Sequence, residues 1–198
     1  MIVLTAAALM MASVPTAAAV DTACIVMDSP VTGRLSPLDS LSFRLDNHTV
    51  KICYGRPSAR ERTMIGGREV PYGKLWRTGA NEPTMLHTTG PVSIAGIEVE
   101  PGSYSMYTVP GELEWTVIVN SSITQWGHIA EYSYRVRRQE VGKATVPRER
   151  TSRHVETMTF TADPVESEAV VFLEWERTRI AIPIVLLGTD PNGGGRRR

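Results

Sequence analysis

The sequence predicts an all-β fold, a single antiparallel β-sandwich or barrel of about nine or ten strands joined by long structured loops. Three observations carry that prediction. Apolar and polar residues alternate over short runs, as in Leu41-Ser42-Phe43-Arg44-Leu45. Turn residues such as Asp46-Asn47, Pro101-Gly102 and Pro110-Gly111 separate those runs. Helical periodicity is nearly absent, and no internal repeat is evident. With 198 residues, 42% of them hydrophobic, the chain is long enough for one domain with its own core.

The elements follow in order. Residues 1–19 read as a secretory signal peptide: an apolar run at 2–11, then Thr16-Ala17-Ala18-Ala19 ahead of Asp21, with cleavage after Ala19 leaving Val20 first. No Lys or Arg precedes the run, which leaves room for a start upstream of Met1. A buried N-terminal helix is the rival reading. The run is too short for an integral membrane span. Residues 20–40 form a turn-rich, extended lead-in, and 41–187 the β domain. Runs 41–45 and 49–54 make a hairpin, 84–88 is a strand, and 92–99 is a strand bent at Gly96. Runs 103–109 and 113–119, joined by Pro110-Gly111, form the clearest hairpin. Asn120-Ser121-Ser122 is expected to cap a short helix at 123–126. Run 131–137, with Tyr132, Tyr134 and Val136 alternating, reads as a strand. The polar interval 139–154 reads as an exposed connection. The last strands are 155–161, 168–176 and 178–187, with a tight reversal at Arg177-Thr178 between the final two. Residues 188–198 form a low-complexity tail expected to be disordered.

Cys24 and Cys53 are the two cysteines, and an even pair in an exported chain favours a disulfide. The alternative is a lipid-modified Cys24, against which stands Asp21, at a position where lipoprotein signals take an apolar residue. The 21 basic and 21 acidic residues balance, which argues against nucleic acid as the partner. His48, His87, His128 and His154 lack ligand spacing, so no metal site and no cofactor are expected. Ser58 lies outside any nucleophile elbow, and Gly66-Gly67 lacks the residues of a phosphate loop.

Run 70–84 breaks the strand pattern. It holds Gly73, Gly79 and two prolines, yet it crowds Tyr72, Trp76, Arg77, Asn81 and Glu82 together. Such side chains are costly to order on a loop unless they pack or bind. Arg56, Arg60 and Arg62 precede it, and guanidinium forks suit carboxylate or phosphate. The ligand-binding candidates are therefore Arg56, Arg60, Arg62, Trp76, Arg77, Asn81 and Glu82. The structural alternative has these arginines pairing with Glu61, Glu69 and Glu82, the Arg77–Glu82 pair above all, to brace two loops. Trp115 and Trp175, on strands, are expected in the interior.

Several strings occur together and in order: Tyr54-Gly55-Arg56-Pro57, Trp76-Arg77-Thr78-Gly79-Ala80-Asn81-Glu82, Pro101-Gly102-Ser103-Tyr104, Gln125-Trp126-Gly127 and Leu173-Glu174-Trp175-Glu176. In these the chain resembles the bacterial domain-of-unknown-function family numbered 2911, over about 41–184, nearly the whole mature domain. The resemblance implies export and a compact domain, and it carries no activity, substrate or cofactor. The stretch after Gly127 departs from the family pattern.

The expected function is an exported protein, periplasmic or extracellular, that binds an anionic or hydroxyl-rich small ligand or an envelope component. Two other readings stand beside it. One is an envelope hydrolase using Glu82 with a second carboxylate. The other is a structural domain whose long loop plugs one end of the barrel. Whether the protein is an enzyme is left open by the sequence.

Overall fold

The computed structural model describes residues 23–27, 30–127 and 129–188. The expected signal peptide and all but Gly188 of the expected tail lie outside these residues. The fold is nearly all-β. Its strands are β1 (Leu38–Leu45), β2 (His48–Gly55), β3 (Thr84–Thr88), β4 (Val92–Ile94), β5 (Ile97–Val99), β6 (Gly102–Val109), β7 (Glu114–Asn120), β8 (Glu140–Val165) and β9 (Glu168–Leu186). They form one antiparallel sheet in the order β1-β2-β3-β6-β7-β8-β9-β4-β5, which does not close on itself.

Local turn chemistry sets several of the pairings. Leu45 opposes His48 across Asp46-Asn47, with Asp46 at φ 50°, a conformation that Asp tolerates better than most residues. Ile94 opposes Ile97 across Ala95-Gly96, where both φ angles are positive, so the expected bent strand is a tight hairpin. Glu166, at φ 53°, turns β8 into β9. The core lies on the inward face of these strands and includes Leu45, Ile52, Trp115, Val117, Leu173, Trp175 and Ile180.

Four further expectations fail. The interval 139–154 is not a connection but the first half of β8, registered on β7 from Glu140 to Pro147. Its inward positions include Gly142 and Ala144, too small to show as an apolar period, while Val141, Lys143 and Thr145 face solvent. Runs 168–176 and 178–187 are one strand. Glu176 sits at φ 53° in β9, and the β8 register shifts between Arg150, Val155 and Thr159, so the hairpin bends there instead of reversing. Run 131–137 is a 3-10 turn (Ile129–Glu131) followed by α1 (Tyr134–Arg137), capped by Ser133 Oγ, which accepts from Val136 N–H at 3.4 Å. Tyr132 and Val136 pack beside Tyr107 and Ile118, whereas Tyr134 is 76% exposed. Spacing i, i+4 satisfies a helical period as well as an alternating one. Finally, no helix forms at 123–126. Asn120 Oδ1 instead accepts from Ser122 N–H at 2.7 Å, and Gln125 Nε2 donates to Tyr107 Oη at 3.0 Å.

Cys24 and Cys53 form a disulfide, Cα atoms 5.6 Å apart, which ties the lead-in to β2. With its sulfur so engaged, Cys24 carries no lipid in this form. Among the described residues no helix is long and apolar enough to cross a membrane.

Candidate functional site

The segment between β2 and β3 is pinned to the sheet at several places. Pro57 O accepts from Met158 N–H at 2.9 Å, and Ala59 N–H donates to Glu156 O at 2.9 Å. Further along, Met64 and Ile65 N–H both donate to the Glu176 carboxylate, at 3.1 and 2.7 Å. The segment then meets β6. Trp76 N–H donates to Thr108 O at 2.7 Å, and Thr108 N–H donates back to Trp76 O at 2.9 Å. This two-way exchange fixes the Trp76 ring. It stacks on Trp175 at 5.9 Å and 17° and meets Trp115 edge-on at 6.0 Å, while its Nε1–H donates to Gly79 O.

Beside this aromatic group lies a cleft of about 580 Å³, within the usual size of small-molecule sites. Trp76, Trp175, Met64 and Leu75 contribute apolar wall, and Arg62, Lys74 and Arg77 bring positive charge against Glu69, the one carboxylate among the described lining residues. Arg77 is the half-buried cation of the three. Its Nη1 donates to Gly127 O at 3.2 Å, and its buried Nε has no hydrogen-bond partner. Burial pushes the guanidinium pKa down, with Tyr107 and Glu82 acting in the opposite sense. The glycine at 127 permits this arrangement. A Cβ there would lie 2.1 Å from Asn81 O and 2.5 Å from Arg77 Cδ.

The seven candidate residues divide. Arg62, Trp76 and Arg77 line the cleft. Arg56, Arg60, Asn81 and Glu82 do not, and each is held by the surrounding chain. Arg56 donates to Met158 O at 3.0 Å and to Thr159 Oγ1 at 2.9 Å. Arg60 donates from Nη2 to Leu35 O at 2.8 Å, and Asn81 Nδ2 donates to Ser36 O at 2.9 Å. The expected Arg77–Glu82 pair is not formed. Arg34 takes Glu82 instead, Nη1 to Oε2 at 2.7 Å and Nη2 to Oε1 at 3.0 Å, with Met27 N–H donating to Oε1 at 3.1 Å. Burial alone would raise the Glu82 carboxyl. The bonds from Arg34 and Met27 outweigh it and hold the pKa below its ordinary value. The arginine braces also differ from the expected carboxylate pairs. Arg62, for instance, donates to the carbonyl of Ala59 at 3.0 Å.

The family profile described as a protein of unknown function, DUF2911, matches residues 36–184. The chain belongs to the DUF2911 family. That span holds the whole cleft wall, from Ser36 to Trp175. No curated protein and no solved structure matches this DUF2911 chain.

Sequence reasoning missed Lys74, Leu75, Met64 and Gly127 as cleft residues. Lys74 and Leu75 stood inside run 70–84, and their charge and apolar character were visible there. Met64 and Gly127 carried no such signal, because they reach the cleft through contacts far apart in sequence. Arg34, 48 residues before Glu82, was equally hidden in the lead-in. Among the described residues no group of three or more His, Cys, Asp or Glu side chains is placed to hold a metal ion.

Proposed function

We propose that this DUF2911 domain is an exported ligand-binding module whose cleft takes a small anionic ligand. The observation that carries the reading is Arg77, seated by Gly127 O at the cleft wall with its Nε unpartnered, beside Arg62 and Lys74, with Glu69 the one carboxylate among the described lining residues. A half-buried guanidinium without an ion-pair partner bears a desolvation cost that an anion would offset. Export rests on the apolar run and small residues at 2–19, and the Cys24–Cys53 disulfide fits an oxidising compartment. The open sheet is read as a sandwich bent at the β8–β9 hairpin, a reading supported by Tyr54 and Phe160 meeting edge to face at 4.8 Å.

The test is a thermal-shift and tryptophan-emission titration of the purified protein with inorganic phosphate, acetate and benzoate at constant ionic strength. At least one anion is expected to raise the melting temperature and change the emission, and the Arg62→Ala, Lys74→Ala double variant to weaken both effects. No response to any anion, or an unchanged response in the double variant, would sink the reading. Arg60→Ala and Asn81→Ala, which lie off the cleft, are expected to leave the response in place.

The hydrolase reading finds no support at Glu82. Both its oxygens accept bonds from Arg34, and the residue is 2% exposed. That end of the loop acts as a brace.

A further inference from the structure

Resting on the anion-binding reading, we propose that the ligand is an amphiphilic carboxylate: one carboxylate group at the Arg77 end of the cleft, carried on an apolar body that packs against Leu75 and Trp76. Three features of the lining select this class over the other small anions and over sugars.

The first is how the charge is distributed. Arg62 and Lys74 are exposed, whereas Arg77 is half-buried and anchored. Glu69 is exposed on the same lining as the two outer cations and opposes additional negative charge there. The cleft therefore offers one half-buried cation, the other two being exposed, which matches a single negative charge. A phosphate monoester or polyanion calls for several cations converging on it.

The second is the scarcity of neutral hydrogen-bonding side chains. Ser36 is the sole hydroxyl or amide side chain among the described lining residues. Most of the uncharged side chains on the wall are apolar, Met64, Val70, Leu75, Ile129 and the indoles among them. A sugar seated here would find one neutral side-chain partner and would have to direct its other hydroxyls to the charged groups or to water. An aromatic or branched aliphatic body loses nothing by the same contacts and gains burial.

The third is the state of the guanidinium. Nη1 is committed to Gly127 O, Nε makes no bond, and Glu82, the nearest candidate partner in sequence, is taken by Arg34. Glu82 acts on the Arg77 charge only from a distance, and no carboxylate among the described residues pairs with it directly. A planar carboxylate brought along the cleft wall supplies the missing counter-charge by charge-assisted hydrogen bonding.

The test uses the full chain and four probes followed by tryptophan emission: 3-phenylpropionate, its neutral counterpart 3-phenylpropanol, phenyl phosphate and glucose. 3-Phenylpropionate is expected to bind with a dissociation constant at least about tenfold below that of each other probe. Arg77→Lys, which keeps the charge and loses the fork, is expected to weaken it by about tenfold, and Leu75→Glu to weaken it further by placing a like charge on the wall. Leu75 is only partly buried, so that variant keeps the test open should Arg77→Lys fail to fold. Phenyl phosphate binding more tightly than 3-phenylpropionate would overturn the carboxylate inference and leave the anion reading standing. Glucose binding with no response to either anion would overturn both. No binding of 3-phenylpropionate at millimolar concentration would overturn the inference outright, as would equal affinity in Leu75→Glu.

Discussion

Replacing Glu82 by Gln tests the clamp that holds the lead-in against the loop behind the cleft. The carboxylate is 3% exposed and the Arg34 side chain 10%, so the pair is shielded from solvent and from salt. It accepts two bonds from the guanidinium and one from Met27 N–H. Gln preserves the shape but removes the charge and turns an amide N–H2 towards the donors. Breaking one side of a buried ion pair costs about 3–5 kcal/mol, because the remaining charge stays buried without its partner. Taking the lower end, about 3 kcal/mol, the melting temperature should fall by about 6–12 °C for a domain of this size. Urea denaturation at neutral pH measures the loss directly. The pH dependence gives an independent reading. The Glu82 pKa is lowered on folding, so its stabilisation is complete above the ordinary carboxylate value, about 4.3, and is lost as pH falls from there through the folded value. The gap between wild type and Glu82→Gln should therefore close in acid. A neutral-pH cost under about 0.5 kcal/mol, the range of an exposed pair, would refute the argument. So would a gap that does not narrow as pH falls.

Two further outcomes are expected. Reduction of Cys24–Cys53, which spans 29 residues, should lower stability by about 3–4 kcal/mol in the chain-entropy account, read as a shift in urea midpoint with and without dithiothreitol. An unshifted midpoint would show that the unfolded chain gains no freedom from the break. For export, N-terminal sequencing of the protein recovered from the cell envelope should begin at Val20, and an intact Met1 terminus in the cytoplasmic fraction would contradict the signal-peptide reading.

Much of the first half of the fold is legible because its signals are local. The β1–β2 hairpin has alternation on both sides of Asp46-Asn47, and β6 and β7 flank Pro110-Gly111. The second half is less legible for physical reasons. A strand needs backbone pairing, not an apolar period, so Gly142 and Ala144 could hide the start of β8. Extra residues in β8 opposite Glu176, itself at φ 53°, bend the hairpin without ending β9, and in sequence that resembles a turn. Tyr132 and Val136 fit two periods at once, and packing against Tyr107 and Ile118 chose the helical one.

By itself the sequence determined the all-β class, favoured the pairing of its two cysteines and marked the loop on which to look for a site, all of which depend on residue type and short-range spacing. The tertiary structure alone decided which part of that loop faces a cleft. Arg34, close to Glu82 only in the folded chain, turned Asn81 and Glu82 into the loop's brace. Trp175 and Gly127, brought in from elsewhere in the chain, left Trp76 and Arg77 at the cleft. Ion pairs and ring contacts between distant segments follow no sequence period. Only chain closure could assign those partners.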